Sequence, residues 1–145
     1  MQVTCFSVNT SLYNKPVPKR YGQACPVAKS LELLGDRWTL LIVRDLLRGP
    51  GRFQDFQRSL KGIAPNILSD RLKLMEQHGL VKRRLYSNHP PRAEYTLSEK
   101  GKEVGVVIGA LAMWGARHVH RQTALVHEEC GHPVEMGYHC PHCGH

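Results

Sequence analysis

Between Leu80 and Gly101 the chain changes its apolar period twice, and this restricts the fold more than any other feature of the sequence. Val81, Arg83 and Leu85 fall on alternate positions, as do Tyr95 and Leu97, so both runs read as strands. Ser87-Asn88-His89-Pro90-Pro91-Arg92 lies between them as a proline-stiffened loop, which makes the pair an antiparallel hairpin. Lys82, Arg83 and Arg84 load its entry with positive charge. On both sides the period is helical, so the expected class is mainly α with one small antiparallel β element.

Upstream, Pro26 suits a first helical position, and Val27, Leu31 and Leu34 recur at helical spacing until Gly35 ends the segment. Asp36 is expected to cap the next helix, where Trp38, Leu41, Ile42 and Leu46 form a stripe with Leu40, Val43 and Leu47 beside it. Gly49-Pro50-Gly51 stops that helix, and Phe53, Phe56 and Leu60 give a third, shorter one. The fourth opens at Pro65 with an inner stripe of Leu68, Leu72 and Met75, supported by Ile67 and Leu74. Gly79 occupies the left-handed position after it, and Leu80 folds back in a Schellman ending. A last helix starts after Ser98 as N-cap, carries Val104, Val107, Ile108, Leu111 and Trp114 along one side, and ends near His118.

Three helices, a fourth with a polar outer face and then a cationic hairpin is the order of a winged helix-turn-helix. The outer side of the fourth helix carries Asn66, Ser69, Asp70, Arg71 and Lys73, short hydrogen-bonding groups mixed with cations that suit base edges and phosphates. Taken alone, such a stripe reads equally well as a solvated face. The hairpin is then the wing, with Arg84 on it and Arg92 at its tip as the candidate for the minor groove, while Arg83 points away from DNA. The charge distribution agrees. Net charge is +8, with thirteen bases against seven acids over residues 25–97 and three acids without a base over 123–145. Double-stranded DNA is the expected partner.

A second stripe on the last helix consists of Gly101, Gly105, Gly109, Ala112 and Ala116. Interior glycines cost up to about 1 kcal/mol each against alanine, so close packing is expected there, against this chain's own core or against the last helix of a second copy. Two-fold reading of half-sites favours the second, a homodimer through the terminal helices. The longest apolar run, Trp38 to Val43, is far short of the roughly 18 residues of a membrane span. With no apolar signal core at the N-terminus, a cytoplasmic protein is expected.

From about Cys25 to Trp114 the chain resembles the HxlR-type family of bacterial transcriptional regulators. The residues that carry the likeness are Cys25-Pro26-Val27, Gly35-x-x-Trp38-Thr39, Arg52-Phe53, Leu68-Ser69-x-Arg71-Leu72, Gly79-Leu80-Val81 and Pro90-Pro91-Arg92-x-Glu94-Tyr95. The resemblance implies a dimeric winged helix-turn-helix that binds operator DNA and represses or activates nearby genes, with repression expected here. Two positions depart from it: Ala64 stands where the family usually has a capping serine, and Asp70 replaces a more usual neutral or basic residue. Cys25 matches the cysteine that some members use as a redox switch. A helix N-terminus with Lys29 one turn on favours thiolate, although a cysteine at such a place is often only a small apolar residue. An oxidant or small molecule is the implied effector.

The expected organisation is an irregular arm over 1–24, containing Pro16 and Pro18, a winged domain with its dimerisation helix over 25–119, and a Cys/His-rich tail over 120–145. Five cysteines in a cytosolic chain argue for thiol or metal chemistry rather than disulfides. His127-x-x-Cys130 and Cys140-x-x-Cys143 supply two ligand pairs able to close a tetrahedral zinc site, with His132, His139, His142 and His145 as rivals for the histidine position. The alternative is a histidine-rich terminus that binds metal casually. No paired carboxylates, Ser/His/Asp grouping or phosphate-cradling glycine loop points to an enzyme. The rival function is a winged-helix RNA-binding or protein-docking module with a structural zinc tail.

Overall fold

The computed structural model describes residues 20–88, 91–121, 125–137 and 139–144. Most of the expected arm, His89 and Pro90 of the hairpin loop, and His145 lie outside the described residues. The chain divides into two compact units, Met1–Asp36 and Arg37–His145. The first holds helix α1 (Pro26–Leu34), with Pro26 in its first turn and Gly35 N–H donating to the Leu31 carbonyl at 2.8 Å. Within it Glu32 accepts from Lys29 (3.1 Å) and from the Tyr21 N–H (3.1 Å). The Lys29 bond, before the others, holds the Glu32 carboxyl below the usual range.

The second unit runs α2 (Thr39–Leu46), β1 (Gly51–Arg52), α3 (Phe53–Ser59), α4 (Pro65–Gln77), β2 (Val81–Asn88), β3 (Pro91–Leu97), α5 (Glu99–Glu103) and α6 (Gly105–His118). Its core is drawn from the stripes expected on the helices: Ile42, Val43 and Leu46 of α2, Phe56 and Leu60, and Leu68, Leu72 and Met75 of α4. Leu80, Val81, Leu97 and Val104 complete it from the wing base and the start of the last helices. The second helix starts later than the expected cap at Asp36: the chain turns through Arg37 and Trp38 first, and α2 begins at Thr39 with Trp38 at the N-cap position.

A short strand joins the hairpin. Gly51 and Arg52 pair antiparallel with Tyr95 and Glu94, giving a three-stranded sheet in the order β1-β3-β2. Gly51 is needed there, because a Cβ would lie 2.7 Å from the Phe56 ring. The end of α4 forms the expected Schellman motif. Leu80 N–H donates to the Met75 carbonyl (2.8 Å) and Gly79 N–H to Glu76 (3.0 Å), with Gly79 at φ +70°. At the other end Ala64 is the N-cap and supplies no side-chain bond.

The single last helix expected after Ser98 is two. Ser98 caps α5, its hydroxyl accepting from Gly101 N–H (3.0 Å) and donating to the Gly79 carbonyl (2.5 Å), while its N–H donates to Leu80 (3.0 Å). A Cβ on Gly101 would sit 2.1 Å from the Leu80 carbonyl oxygen. The helix therefore begins in direct backbone contact with the end of α4. Val104 N–H then closes on Gly101 rather than one residue earlier (3.3 Å), a tighter turn that breaks the helix before α6. The glycine stripe is filled by this chain itself. Gly101 faces Leu80 and Leu97, Gly105 faces Leu47, and Gly109 faces Met136 and Leu125 of the tail.

Candidate nucleic-acid interface

Burial of Leu68, Leu72 and Met75 fixes the rotation of α4 and turns its polar stripe outward. Asn66, Ser69 and Lys73 are exposed, and Asp70 and Arg71 are half-buried. Ile67 departs from its expected place in support of the inner stripe. It is 36% exposed, an apolar side chain on the same outward side as Asn66. The inner stripe at 68, 72 and 75 already closes the core, leaving position 67 a quarter-turn away from it.

Strand β2 packs against α4 and carries the wing. Its register with β3 places Val81 opposite Leu97, Arg83 opposite Tyr95, Arg84 opposite Glu94 and Ser87 opposite Arg92, with an irregularity between Leu85 and Ser87. Side chains alternate across the sheet, so Val81, Arg83, Tyr95 and Leu97 share the core-side face, and Lys82, Arg84, Thr96 and Glu94 share the other. Tyr95 meets Phe56 edge-on at 6.3 Å between ring centroids. Arg83 thus lies on the opposite face from Arg84. Arg92 is exposed next to the tip.

Glu94 is flanked on both sides by cations. Arg84 stands opposite it on β2, and Arg52 on β1 reaches it at 3.7 Å. The Arg52 guanidinium also lies 4.7 Å from the centroid of the Tyr86 ring, displaced there by the irregular pairing. Lys82, Arg84 and Arg52 against one carboxylate leave this face of the wing cationic, with Glu94 paired to Arg52. Arg52 entered the sequence reading only as part of the family likeness and not as a site residue, because Gly49-Pro50-Gly51 before it reads as a helix stop. The signal available was Arg52-Phe53 directly after it, at the entry to α3. There the Arg52 N–H donates to Asp55 (2.9 Å), and Arg58 pairs with the same carboxylate. The backbone bond first, and Arg58 after it, hold Asp55 below the usual carboxylate range.

Helix α6 carries its apolar residues outward. None of its 14 residues is buried, and Val106, Val107, Leu111 and Trp114 are 66%, 41%, 50% and 60% exposed. The Trp114 ring tilts against His118 at 5.4 Å. Cys25, half-buried, is the backbone N-cap of α1, with Lys29 N–H donating to its carbonyl (2.9 Å) while the Lys29 ammonium pairs with Glu32.

In the tail the expected ligands come together as two pairs and not as four. Cys130 Sγ lies 3.4 Å from His127 Nδ1. Cys140 accepts from the Cys143 N–H, and further bonds from His142 N–H and the Cys143 side chain add to it in holding the Cys140 thiol below its usual value. Among the described residues no three His, Cys, Asp or Glu side chains converge on one point, and no helix is long and apolar enough to cross a membrane.

Comparison with known proteins gives the arrangement a context. Residues 33–123 match the model of the family described as HxlR-like helix-turn-helix. An HTH-type transcriptional regulator of Mycobacterium tuberculosis is 39% identical over 122 residues, spanning 81% of this chain and 77% of that protein. The structure of the redox regulator HypR in its oxidized form superposes with a TM-score of 0.61 at 30% identity, covering 65% of this chain and 97% of that one. The reduced form of the transcriptional regulator YodB from B. subtilis gives 0.57 at 33% identity, covering 69% and 99%.

Proposed function

The chain belongs to the HxlR-like helix-turn-helix family of transcriptional regulators, and from that premise we propose that it acts as a cytoplasmic homodimeric repressor, reading duplex DNA with α4 and the wing. One observation carries the reading. The fully buried stripe of α4 leaves Asn66, Ser69 and Lys73 exposed on an element packed directly against the cationic strand β2. In this reading α4 enters the major groove. Asn66 and Arg71 supply the planar donor groups that base edges accept, Ser69 and Lys73 reach phosphate or base, and Ile67 offers an apolar contact to a thymine methyl. Arg92 at the wing takes the minor groove, where a narrow stretch concentrates negative potential, and Lys82 with Arg84 takes the backbone. Asp70 sets preference by rejecting phosphate and accepting from cytosine.

The second half of the reading rests on α6. Val106, Val107, Leu111 and Trp114 leave an apolar surface on the helix that follows the DNA-contacting elements. Covering it with the same surface of a second copy gives a two-fold dimer with two α4 helices for two half-sites. The contact between Gly101 and Leu80 ties α5, the short helix leading into α6, to the end of α4, so dimerisation through α6 sets the half-site spacing. Cys25 is the candidate sensor of an oxidant, supported by the likeness to HypR and YodB, with a small ligand as the other effector class.

Selection of bound sequences from a random duplex library tests this reading. The expected product is a two-fold symmetric site with half-sites about one helical turn apart, bound with an affinity that falls steeply with salt as phosphate contacts release counterions. Recovery of no symmetric sequence, or stronger competition by RNA than by the selected duplex, overturns it. Diamide added to wild type and to Cys25→Ser tests the effector: an equal response from both excludes sensing at Cys25.

A further inference from the structure

The tail contains the same small unit twice. His127-Glu128-Glu129-Cys130-Gly131 and Cys140-Pro141-His142-Cys143-Gly144 both read ligand-x-x-Cys-Gly. The backbone folds them alike. Gly131 N–H donates to the His127 carbonyl at 2.8 Å and Gly144 N–H to the Cys140 carbonyl at 2.7 Å. Both glycines are left-handed, at φ +68° and +77°, a conformation that a side chain would strain. Each turn therefore brings its first and fourth side chains to one side.

The spacing within a turn suits a metal. Ligand bonds of about 2.3 Å to sulfur and 2.05 Å to nitrogen, at a tetrahedral angle, put sulfur and nitrogen about 3.6 Å apart on one zinc ion. Cys130 Sγ and His127 Nδ1 are 3.4 Å apart. The second turn has the same backbone closure, so Cys140 and Cys143 take the matching first and fourth positions. A short ribbon holds the first turn. His127 N–H donates to the His132 carbonyl (2.9 Å) and Val134 N–H to Leu125 (3.0 Å), around the Val126–Pro133 bridge. Leu125 and Met136, at the two ends of that ribbon, rest against α6 at Gly109, 3.7 and 3.5 Å from the position a Cβ would take there.

We propose that the two turns bind a single zinc ion through His127 Nδ1 and the sulfurs of Cys130, Cys140 and Cys143, and that the closed site fastens the tail onto α6 at Gly109. Binding releases three thiol protons to solvent as three sulfur–zinc bonds form. The two turns move together until their four ligands share the ion. With all four positions taken by protein groups, the site is structural and leaves none open for catalysis. The three tail acids, Glu128, Glu129 and Glu135, add attraction for a cation on a stretch that has no base. Ligand closure gives this short segment the folding free energy that its exposed apolar residues do not.

Metal analysis of the full-length protein is the test. We expect about one zinc per chain, and cobalt in its place is expected to show thiolate charge-transfer and tetrahedral ligand-field bands. Cys130→Ser, Cys140→Ser, Cys143→Ser and His127→Ala each reduce metal retention at least tenfold, whereas Cys25→Ser, His132→Ala and His139→Ala retain it. Limited proteolysis reads the fastening: zinc protects the tail in wild type, and Met136→Ala loses that protection while keeping the ion. An octahedral cobalt spectrum without thiolate bands, or full zinc in Cys130→Ser, overturns the site. Unchanged protection in Met136→Ala overturns the attachment to α6.

Discussion

Helices α4 and α6 are nearly equal in length, 13 and 14 residues, and the chain treats their apolar side chains in opposite ways. Those of α4 are finished by the chain itself: Leu68, Leu72 and Met75 are at most 1% exposed, and what remains outside is mostly polar. Helix α6 is the more apolar of the two, yet it buries no residue completely. A helix that hides its stripe against its own core is oriented by that core and can present a fixed outer face to a ligand. A helix that leaves its stripe open is completed only by something else. Between α4 and α6 lies α5, which Gly101 and Ser98 fasten to the backbone of Gly79 and Leu80 at the end of α4. In the proposed reading recognition falls to α4 and assembly to α6.

The largest test of this contrast is truncation of one residue from each helix. Leu72→Ala is expected to cost about 2–5 kcal/mol of folding stability, the usual loss for a fully buried leucine. Leu111→Ala, half exposed, is expected to change the stability of dilute protein by less than about 0.5 kcal/mol. Chemical denaturation at low protein concentration gives both numbers, and equal losses would erase the distinction between the helices. A sharper change on α6, Trp114→Asp, is expected to weaken self-association by more than tenfold in sedimentation while circular dichroism stays unchanged, as for a central aromatic anchor of an interface. Next in size is the junction. Gly101→Ala forces its Cβ against the Leu80 carbonyl, and overpacking of this kind costs about 1–3 kcal/mol in thermal or chemical unfolding.

The smallest effect is expected at the base of the wing. Asp55 is held below the usual carboxylate range by the Arg52 N–H and by Arg58, so its charged form favours the folded state. That stabilisation is complete above the ordinary carboxylate range and is lost as pH falls through the lowered value of the folded protein. Because the side chain is 44% exposed and screened, Asp55→Asn is expected to cost only about 0.5–1 kcal/mol at neutral pH, as for a helix cap. The difference from wild type in denaturant midpoint should close on acidification. A difference that grows instead would assign Asp55 another role.

Much of this was legible in the sequence where a residue has one physical use. Gly79 followed by Leu80 signalled the left-handed ending of α4, and Ser98 signalled a cap, because few other conformations use those residues so well. The alternation of Val81, Arg83 and Leu85 gave the wing and separated Arg83 from Arg84. What escaped depends on partners distant in the chain. The strand at Gly51 is too short to show a period, and the pairing of Arg52 with Glu94 exists only because that strand lies beside the hairpin. The glycine stripe announced close packing but could not name what approaches; the approaching groups turned out to be Leu80, Leu47 and the tail. The two tail pairs were visible from spacing, and Gly131 and Gly144, each following a cysteine, signalled a turn in each half.

The central claim, that α4 and the wing together grip duplex DNA, is tested most directly by the affinity of α4 variants for a selected duplex and for an unrelated one. Ser69→Ala and Arg71→Ala, each checked for an intact fold, are predicted to lose about 1–3 kcal/mol on the selected duplex, tenfold or more for Arg71, and far less on the unrelated one. A tail variant such as Cys143→Ser should lose much less on either. Equal losses from the α4 and tail variants, or equal losses on both duplexes, would contradict the account.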